Sequence, residues 1–91
     1  MTALVFDNRT YKFDLDLEAM AFVAYDGDKR VLCLISGEAL IYHFGAVGPR
    51  ESMESAFLAN RDRIESKARE MYRAGRVDEK GRVLLHSRDF N

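Results

Sequence analysis

The fold is decided by two apolar runs joined by a polar turn, MAFVAYDGDKRVLCLI at residues 20–35. An Asp-Gly step between apolar runs is typical of a β-hairpin, so we expect strands at 20–25 and 30–35. The second run is apolar at every position from 31 to 35. A strand that is apolar on both faces indicates a central place in a sheet that is covered on both sides. In so short a chain, one candidate for the second cover is another copy of the protein.

Three further strands are expected around this hairpin. Residues 11–17 alternate between apolar and polar, with Lys12 and Asp14 at polar positions, which predicts a strand with one wet face. A short strand is expected before it at residues 3–6, with a turn at Asp7-Asn8. A last strand at residues 82–86 should follow a turn at residues 78–81.

Two helices are expected between the hairpin and the last strand. The first begins after Ser36, a good N-cap, and ends at Gly45. The second begins near Pro49 and ends at Gly75, which makes it roughly 37 Å long. Its apolar stripe at helical spacing predicts a core face and consists of Met53, Ala56, Phe57, Ile64, Ala68 and Met71. The charged residues of the other face, Glu65 among them, predict a solvated surface.

These elements predict a single α+β domain over residues 1–91. The sheet should be small and antiparallel, with about four to five strands, because adjacent hairpin strands pair in that way. Both helices, the second of them long, should pack on one face of the sheet. Connections this short leave no room for repeated parallel crossovers.

Composition narrows the classes of function. The formal net charge is −1, from 14 basic and 15 acidic residues, and gives no long-range attraction to nucleic acid or to an anionic membrane. One cysteine, Cys33, rules out an intrachain disulfide. The N-terminal residues lack the features of a signal peptide, and the longest apolar run is far shorter than the ~20 residues of a membrane span. We therefore expect a cytoplasmic protein that has no membrane partner.

Few side chains suggest chemistry. The soft or imidazole metal ligands are Cys33, His43 and His86, and no two of them have the spacing of a metal site. Cys33 lies in an all-apolar strand, where a thiol behaves as a small hydrophobe. The sequence therefore predicts no catalytic residue, no metal and no cofactor, and favours a protein that is not an enzyme.

Asn60 falls within the apolar stripe of the second helix. A buried amide needs hydrogen-bond partners, so Asn60 either bonds backbone nearby or lines a pocket or interface together with Arg61. Leu58 points away from the stripe and is a candidate for a dimer contact. These three residues, with His43 and Arg50, are the candidate interaction residues.

The loop Gly45-Ala46-Val47-Gly48 has the G-x-x-G pattern that KH RNA-binding modules place between two helices. On that pattern, the loop with Arg50 and Arg61 would bind nucleic acid. The apolar middle residues, the long following helix and the slightly acidic charge count against it. The alternative is a glycine C-cap followed by a turn before proline.

Several motifs in combination resemble a known family. They are Phe13-Asp14, the run ISGEAL at residues 35–40, His43-Phe44-Gly45, Phe57, Asn60-Arg61 and Ile64-Glu65. They resemble the domain-of-unknown-function family 1488, which comprises short bacterial proteins and includes YrdB-like members. The resemblance covers residues 13–72, and Val23 stands where the family has a proline. It implies a compact bacterial α+β domain, supplies no activity or cofactor, and draws attention to Asn60 and Arg61.

Three functions remain open from the sequence. The leading hypothesis is a non-enzymatic protein-interaction or regulatory module that acts through a protein partner or through itself as a homodimer. The second is a nucleic-acid-binding module that uses the loop at residues 45–48. The third is a small-ligand-binding protein or enzyme with a pocket near Asn60, Arg61 and His43.

Overall fold

The computed structural model describes residues 4–90. Its elements in chain order are β1 (Val5–Asp14), β2 (Ala19–Asp26), β3 (Lys29–Ser36), α1 (Gly37–Phe44), α2 (Arg50–Ala59), α3 (Arg61–Arg73), β4 (Val83–Leu85) and a 3₁₀ turn (Ser87–Phe90). The α+β class is confirmed. No helix formed by residues 4–90 is long and apolar enough to cross a membrane.

The sheet has four strands in the order β1-β2-β3-β4. The pairs β1–β2 and β2–β3 are antiparallel, whereas β4 lies parallel to β3 with Cys33 opposite Val83. The prediction of an antiparallel sheet was therefore wrong, because the last strand makes the sheet mixed. The helical segment 37–82 serves as one crossover and returns the chain to the end at which β3 begins. A parallel pair needs only one connection of about a dozen residues or more, which this segment provides.

The first strand also differs from expectation. The two strands predicted around an Asp7-Asn8 turn form one strand, β1, with an irregularity in its register between Asp7 and Tyr11. The Asp7 carboxylate accepts hydrogen bonds from the Arg9 N–H at 3.0 Å and the Thr10 hydroxyl at 2.7 Å. Local bonds of this kind satisfy the backbone without the sheet ladder. The start of the predicted strand, residue 3, lies outside the described residues.

The turn after β1 comes earlier than predicted. The strand ends at Asp14, whose carboxylate accepts a hydrogen bond from the Leu17 N–H at 3.0 Å. Leu15 and Leu17 therefore lie in an exposed turn. The alternation in the sequence continued into this turn, so periodicity alone placed the strand end too late.

The predicted long second helix is two helices, α2 and α3, that meet at Asn60. Asn60 has φ −122° and ψ 24°, and its side-chain Nδ2 donates to the Ala56 carbonyl at 2.8 Å. Its backbone N–H donates to the Phe57 carbonyl, three residues back. Asparagine competes with the helix for backbone groups in this way. The prediction of two helices was therefore wrong, and the structure has three α-helices between residues 4 and 90.

The first helix begins and ends as the sequence predicts. The Ser36 hydroxyl accepts a hydrogen bond from the Ala39 N–H at 3.1 Å, which satisfies one free donor of the first turn. Gly45 caps the other end with φ 79°, a left-handed conformation that glycine adopts without steric cost.

The helices and one face of the sheet share the hydrophobic core. Phe22 of β2 and Phe57 of α2 are fully buried, with ring centroids 5.2 Å apart. The predicted apolar stripe is confirmed as the face that α2 and α3 turn toward this core. Val23 and Leu34 are also buried, yet they project from the opposite face and lie outside the cluster. We call this opposite side the open face; it is formed by Ala19, Ala21, Val23, Leu32, Leu34 and Leu84.

Replacing Phe57 with alanine should destabilise the protein strongly. Removing a fully buried aromatic ring lowers the free energy of unfolding by about 3–5 kcal/mol. Leu58→Ala, at the exposed neighbouring position, is the matched control and should change it by no more than ~0.5 kcal/mol. Urea unfolding of the two variants measures both values, and equal losses would contradict this packing.

Candidate functional site

Arg61 begins α3 and reaches back over the aromatic part of the core. Its guanidinium carbon lies 4.8 Å from the ring centroid of Phe57, 5.8 Å from Tyr11 and 6.0 Å from Phe22. A guanidinium over aromatic faces gains from the negative charge of those faces. Arg61 follows Phe57 by four residues, the spacing that places two side chains on the same face of a helix.

Glu65 forms an ion pair with Arg61. The Arg61 Nε donates to Oε2 of Glu65 at 2.7 Å, and the two side chains are only 12% and 11% exposed. The prediction that Glu65 lies on a solvated face was therefore wrong, since the carboxylate turns inward to meet Arg61. Nη1 also donates to the Asn8 carbonyl at 3.4 Å, whereas the buried Nη2 has no hydrogen-bond partner among the described residues. These contacts hold the Arg61 side chain within the protein.

The structure brings three of the five candidate residues together. A shallow depression of about 270 Å³ lies at the junction of α2 and α3 and is lined by Leu58, Ala59, Asn60, Arg61, Asp62 and Arg63. The Asn60 amide already donates within its own helix, and the Arg61 guanidinium is engaged by Glu65. The depression therefore offers an exposed leucine beside polar groups that have internal partners.

The other two candidates lie elsewhere. His43, in the last turn of α1, has its Nε2 3.1 Å from the Ser87 hydroxyl oxygen, and its ring centroid is 5.8 Å from that of Phe90. It thus packs the 3₁₀ turn onto α1 and does not line the depression at Asn60. Arg50 is exposed at the start of α2.

The G-x-x-G loop joins α1 to α2. Gly45 serves as the C-cap of α1, and the Val47 N–H donates to the Ser52 hydroxyl at 3.0 Å. Arg50 and Arg61 begin successive helices and so lie roughly 15 Å apart along the chain direction. Since the Arg61 guanidinium is enclosed, Arg50 is the arginine of this pair that is exposed near the loop.

Cys33 lies in the centre of β3 and is fully buried. Burial raises the pKa of its thiol to about 12, with a further contribution from the Glu65 carboxylate. A thiol with such a pKa stays protonated at neutral pH and is a poor nucleophile. Between residues 4 and 90 there is no group of three or more His, Cys, Asp or Glu side chains that could hold a metal ion.

The helices do not pack on the open face of the sheet, yet little of this apolar face is exposed. Ala19, Val23 and Leu34 are buried, and Ala21, Leu32 and Leu84 are half-buried. Ala21, Leu34 and Leu84 form one row across three strands, and Val23 pairs with Leu32 in the next row. A depression of about 130 Å³ near β4 is lined by Leu17, Ala19, Leu34, Ser36, Arg82, Leu84, Leu85 and His86, none of which belongs to a helix. The run at residues 31–35 indicated this face in the sequence. No comparable pattern in the sequence indicated the groove between α1 and the turn after β1.

These features define a small α+β domain with a mixed sheet and one helical layer. Residues 4–85 match the family model described as "Protein of unknown function (DUF1488)". The chain therefore belongs to the DUF1488 family, as the motifs around Phe57 and Asn60-Arg61 indicated.

A solved structure has the same fold. It is the crystal structure of a DUF1488-family protein of unknown function from Shewanella loihica PV-4, which is 23% identical in sequence with a TM-score of 0.82. The similarity covers 93% of each chain. No curated protein matches the chain in sequence.

The Arg61–Glu65 pair should behave as a buried ion pair in a double-mutant cycle. Glu65→Leu alone leaves an uncompensated charge and should lower the free energy of unfolding by about 3–5 kcal/mol, as should Arg61→Met. The double variant should recover most of that loss, because no unpaired charge remains. Denaturant unfolding measures all three, and additive losses would contradict a direct pair.

A control for this cycle is the exposed pair of Lys67 and Glu70 on α3. Glu70→Leu removes a carboxylate that is largely solvated, so the free energy of unfolding should change by no more than about 1 kcal/mol.

The Cys33 thiol should be unreactive in the native protein. Its buried position and raised pKa suppress the thiolate that attacks disulfide reagents. At mildly alkaline pH, Ellman's reagent should react with Cys33 only after guanidinium unfolding. Rapid reaction of the native protein, at the rate of a free model thiol, would contradict the burial.

Proposed function

We propose that this protein is a non-enzymatic protein-interaction module that pairs with a second copy of itself through the open face of its sheet. The observation that supports this best is the apolar character of that face at the centre of the sheet. Leu32 and Leu84 are half-buried and come from two neighbouring strands, and the buried Leu34 lies beside both of them. Apolar surface of this kind is stabilised when another apolar surface excludes water from it.

The charges around the open face support pairing with an identical copy. Asp14 and Asp16 lie at one corner, where β1 turns into β2. Arg30 lies at the opposite corner, near the beginning of β3, and Arg82, whose guanidinium is paired with Asp78, precedes β4 nearby. Consider a two-fold axis that lies in the plane of the interface, perpendicular to the line joining the two corners. It places the acidic corner of each copy opposite the basic corner of the other. Self-complementarity of this kind is what a two-fold interface requires.

The size of the face sets the strength of the dimer. Strands of ten, eight, eight and three residues, at ~3.3 Å per residue and spaced by ~4.8 Å, give a footprint of at most about 450 Å². A standard protein interface buries roughly 800 Å² on each partner. The proposed dimer is therefore weak, and its population rises with protein concentration.

We also propose that the module acts in the cytoplasm. A buried, protonated thiol at Cys33 is compatible with a reducing compartment. The Asn60–Arg61 region then has a structural role, because the Asn60 amide donates to the Ala56 carbonyl and the Arg61 Nε donates to Glu65. The exposed Leu58 beside it is the alternative dimer contact.

Sedimentation velocity over a range of protein concentrations tests this function. The unchanged protein should move from monomer to dimer as the concentration rises. Leu84→Glu places a carboxylate on the open face and should leave a folded monomer at every concentration, since a buried unpaired charge opposes association. The far-ultraviolet circular dichroism of the variant should match that of the unchanged protein.

Leu58→Glu is the matched comparison, because it puts the same charge on the outer surface of α2. It should leave the dimer intact. A strictly monomeric unchanged protein would overturn the proposal, and dissociation by Leu58→Glu but not by Leu84→Glu would move the interface to α2.

A further inference from the structure

A second surface lies where the turn after β1 meets the first helix. It is a groove of about 420 Å³ lined by Leu17, Glu18, Ser36, Gly37, Glu38, Ile41, Tyr42 and Met53. We call it the α1 groove. Leu17 and Ser36 also line the depression of the open face, so the α1 groove begins where that face ends.

The floor of the groove is held by a close approach of backbones. The Gly37 N–H donates to the Glu18 carbonyl at 2.8 Å, which fixes the turn against the start of α1. A Cβ atom at position 37 would lie 3.1 Å from that carbonyl oxygen and 3.1 Å from the Met53 sulfur. Glycine therefore allows the turn and both helices to meet, and the walls of the groove are positioned before anything binds. A preformed site loses less conformational entropy on binding.

The walls expose large apolar side chains to solvent. Tyr42 is 72% exposed, Leu17 is 52% exposed and Ile41 is 42% exposed. Single exposed apolar residues are ordinary, but several that line one concave surface are typical of an interaction site. Tyrosine is also among the residues that contribute most to protein interfaces when a partner covers them.

The polar groups of the groove carry one sign of charge. Glu18 and Glu38 are both exposed on its rim, and no basic residue lines it. Asp16, in the same turn, is exposed as well. Negative potential of this kind repels phosphate and anionic lipid and attracts cationic side chains.

We propose that the α1 groove binds a basic, amphipathic segment of another protein. Apolar side chains of that segment would cover Ile41 and Tyr42, while its lysines or arginines would face Glu18 and Glu38. Binding of an amphipathic helix in a groove follows this division between apolar anchors and charged rim. The inference rests on the proposed role as an interaction module, but it does not depend on self-association through the open face.

Fluorescence anisotropy with a labelled model peptide tests the proposal. The probe is a helical peptide of leucine and lysine with all leucines on one face, and it should bind the protein. Adding salt should weaken binding, because the charges on the rim are exposed. Ile41→Ser with Tyr42→Ser should raise the dissociation constant about tenfold or more, as loss of an aromatic anchor does. Glu38→Lys should raise it several-fold.

Two controls separate groove binding from general stickiness. Val77→Ser removes an apolar side chain of similar exposure, 39%, in the segment after α3, and should leave binding unchanged. A glutamate–leucine peptide of the same pattern should not bind. Equal binding of the two peptides, no binding of the lysine–leucine peptide, or full binding to the Ile41→Ser/Tyr42→Ser variant would each overturn the proposal.

The two proposals fail independently. Leu84→Glu, designed to abolish pairing, should still bind the lysine–leucine peptide with unchanged affinity. Peptide binding by a protein that never dimerises would remove the open-face proposal and keep the α1 groove. Dimerisation without peptide binding would do the reverse.

Discussion

Phe57 rests on Phe22, and this contact joins the helical layer to the sheet. Both rings are fully buried, and the guanidinium of Arg61 lies over the Phe57 ring from the next helix. Arg61 follows Phe57 by four residues, the spacing that brings side chains together on one helix face, and the contact is kept across the break at Asn60. Glu65 then neutralises the arginine one turn later. The Arg61–Glu65 ion pair is thus buried beside the contact between Phe57 and Phe22.

Much of this arrangement is readable in the sequence. The apolar runs at 20–35 predict the central hairpin, and spacing alone places Phe57 and Ile64 in the core because burial follows helical periodicity. The same periodicity gives no sign of the break at Asn60. A residue can keep its place on the apolar stripe even when its side chain, instead of its backbone N–H, bonds the carbonyl four residues back. Glu65 was misplaced for a similar reason: a charged residue is assigned to solvent unless its partner is known, and the partner is the enclosed Arg61.

The remaining differences come from long-range geometry. Nothing local to residues 83–85 distinguishes a parallel from an antiparallel neighbour, because that choice depends on where the helices return the chain. The α1 groove is equally non-local, since Leu17 and Tyr42 are far apart in the sequence and meet through the backbone contact at Gly37. The open face was partly predicted, because a strand that is apolar on both faces appears in the sequence as an uninterrupted apolar run. Family membership and the structural similarity support the fold and leave function to the surfaces.

The parallel pairing of β4 has a consequence for the order in which the chain folds. The β1–β2–β3 meander is built from neighbouring segments, so its contacts close short loops at small entropic cost. The pairing of Cys33 with Val83 closes a loop through all three helices, and such high contact order slows folding. We therefore expect the three-stranded meander to form early and the three-residue β4 to dock late. Until it docks, the edge of β3, which is apolar at every position from 31 to 35, presents unpaired backbone groups to other chains. The nascent protein is therefore most vulnerable to aggregation at that edge.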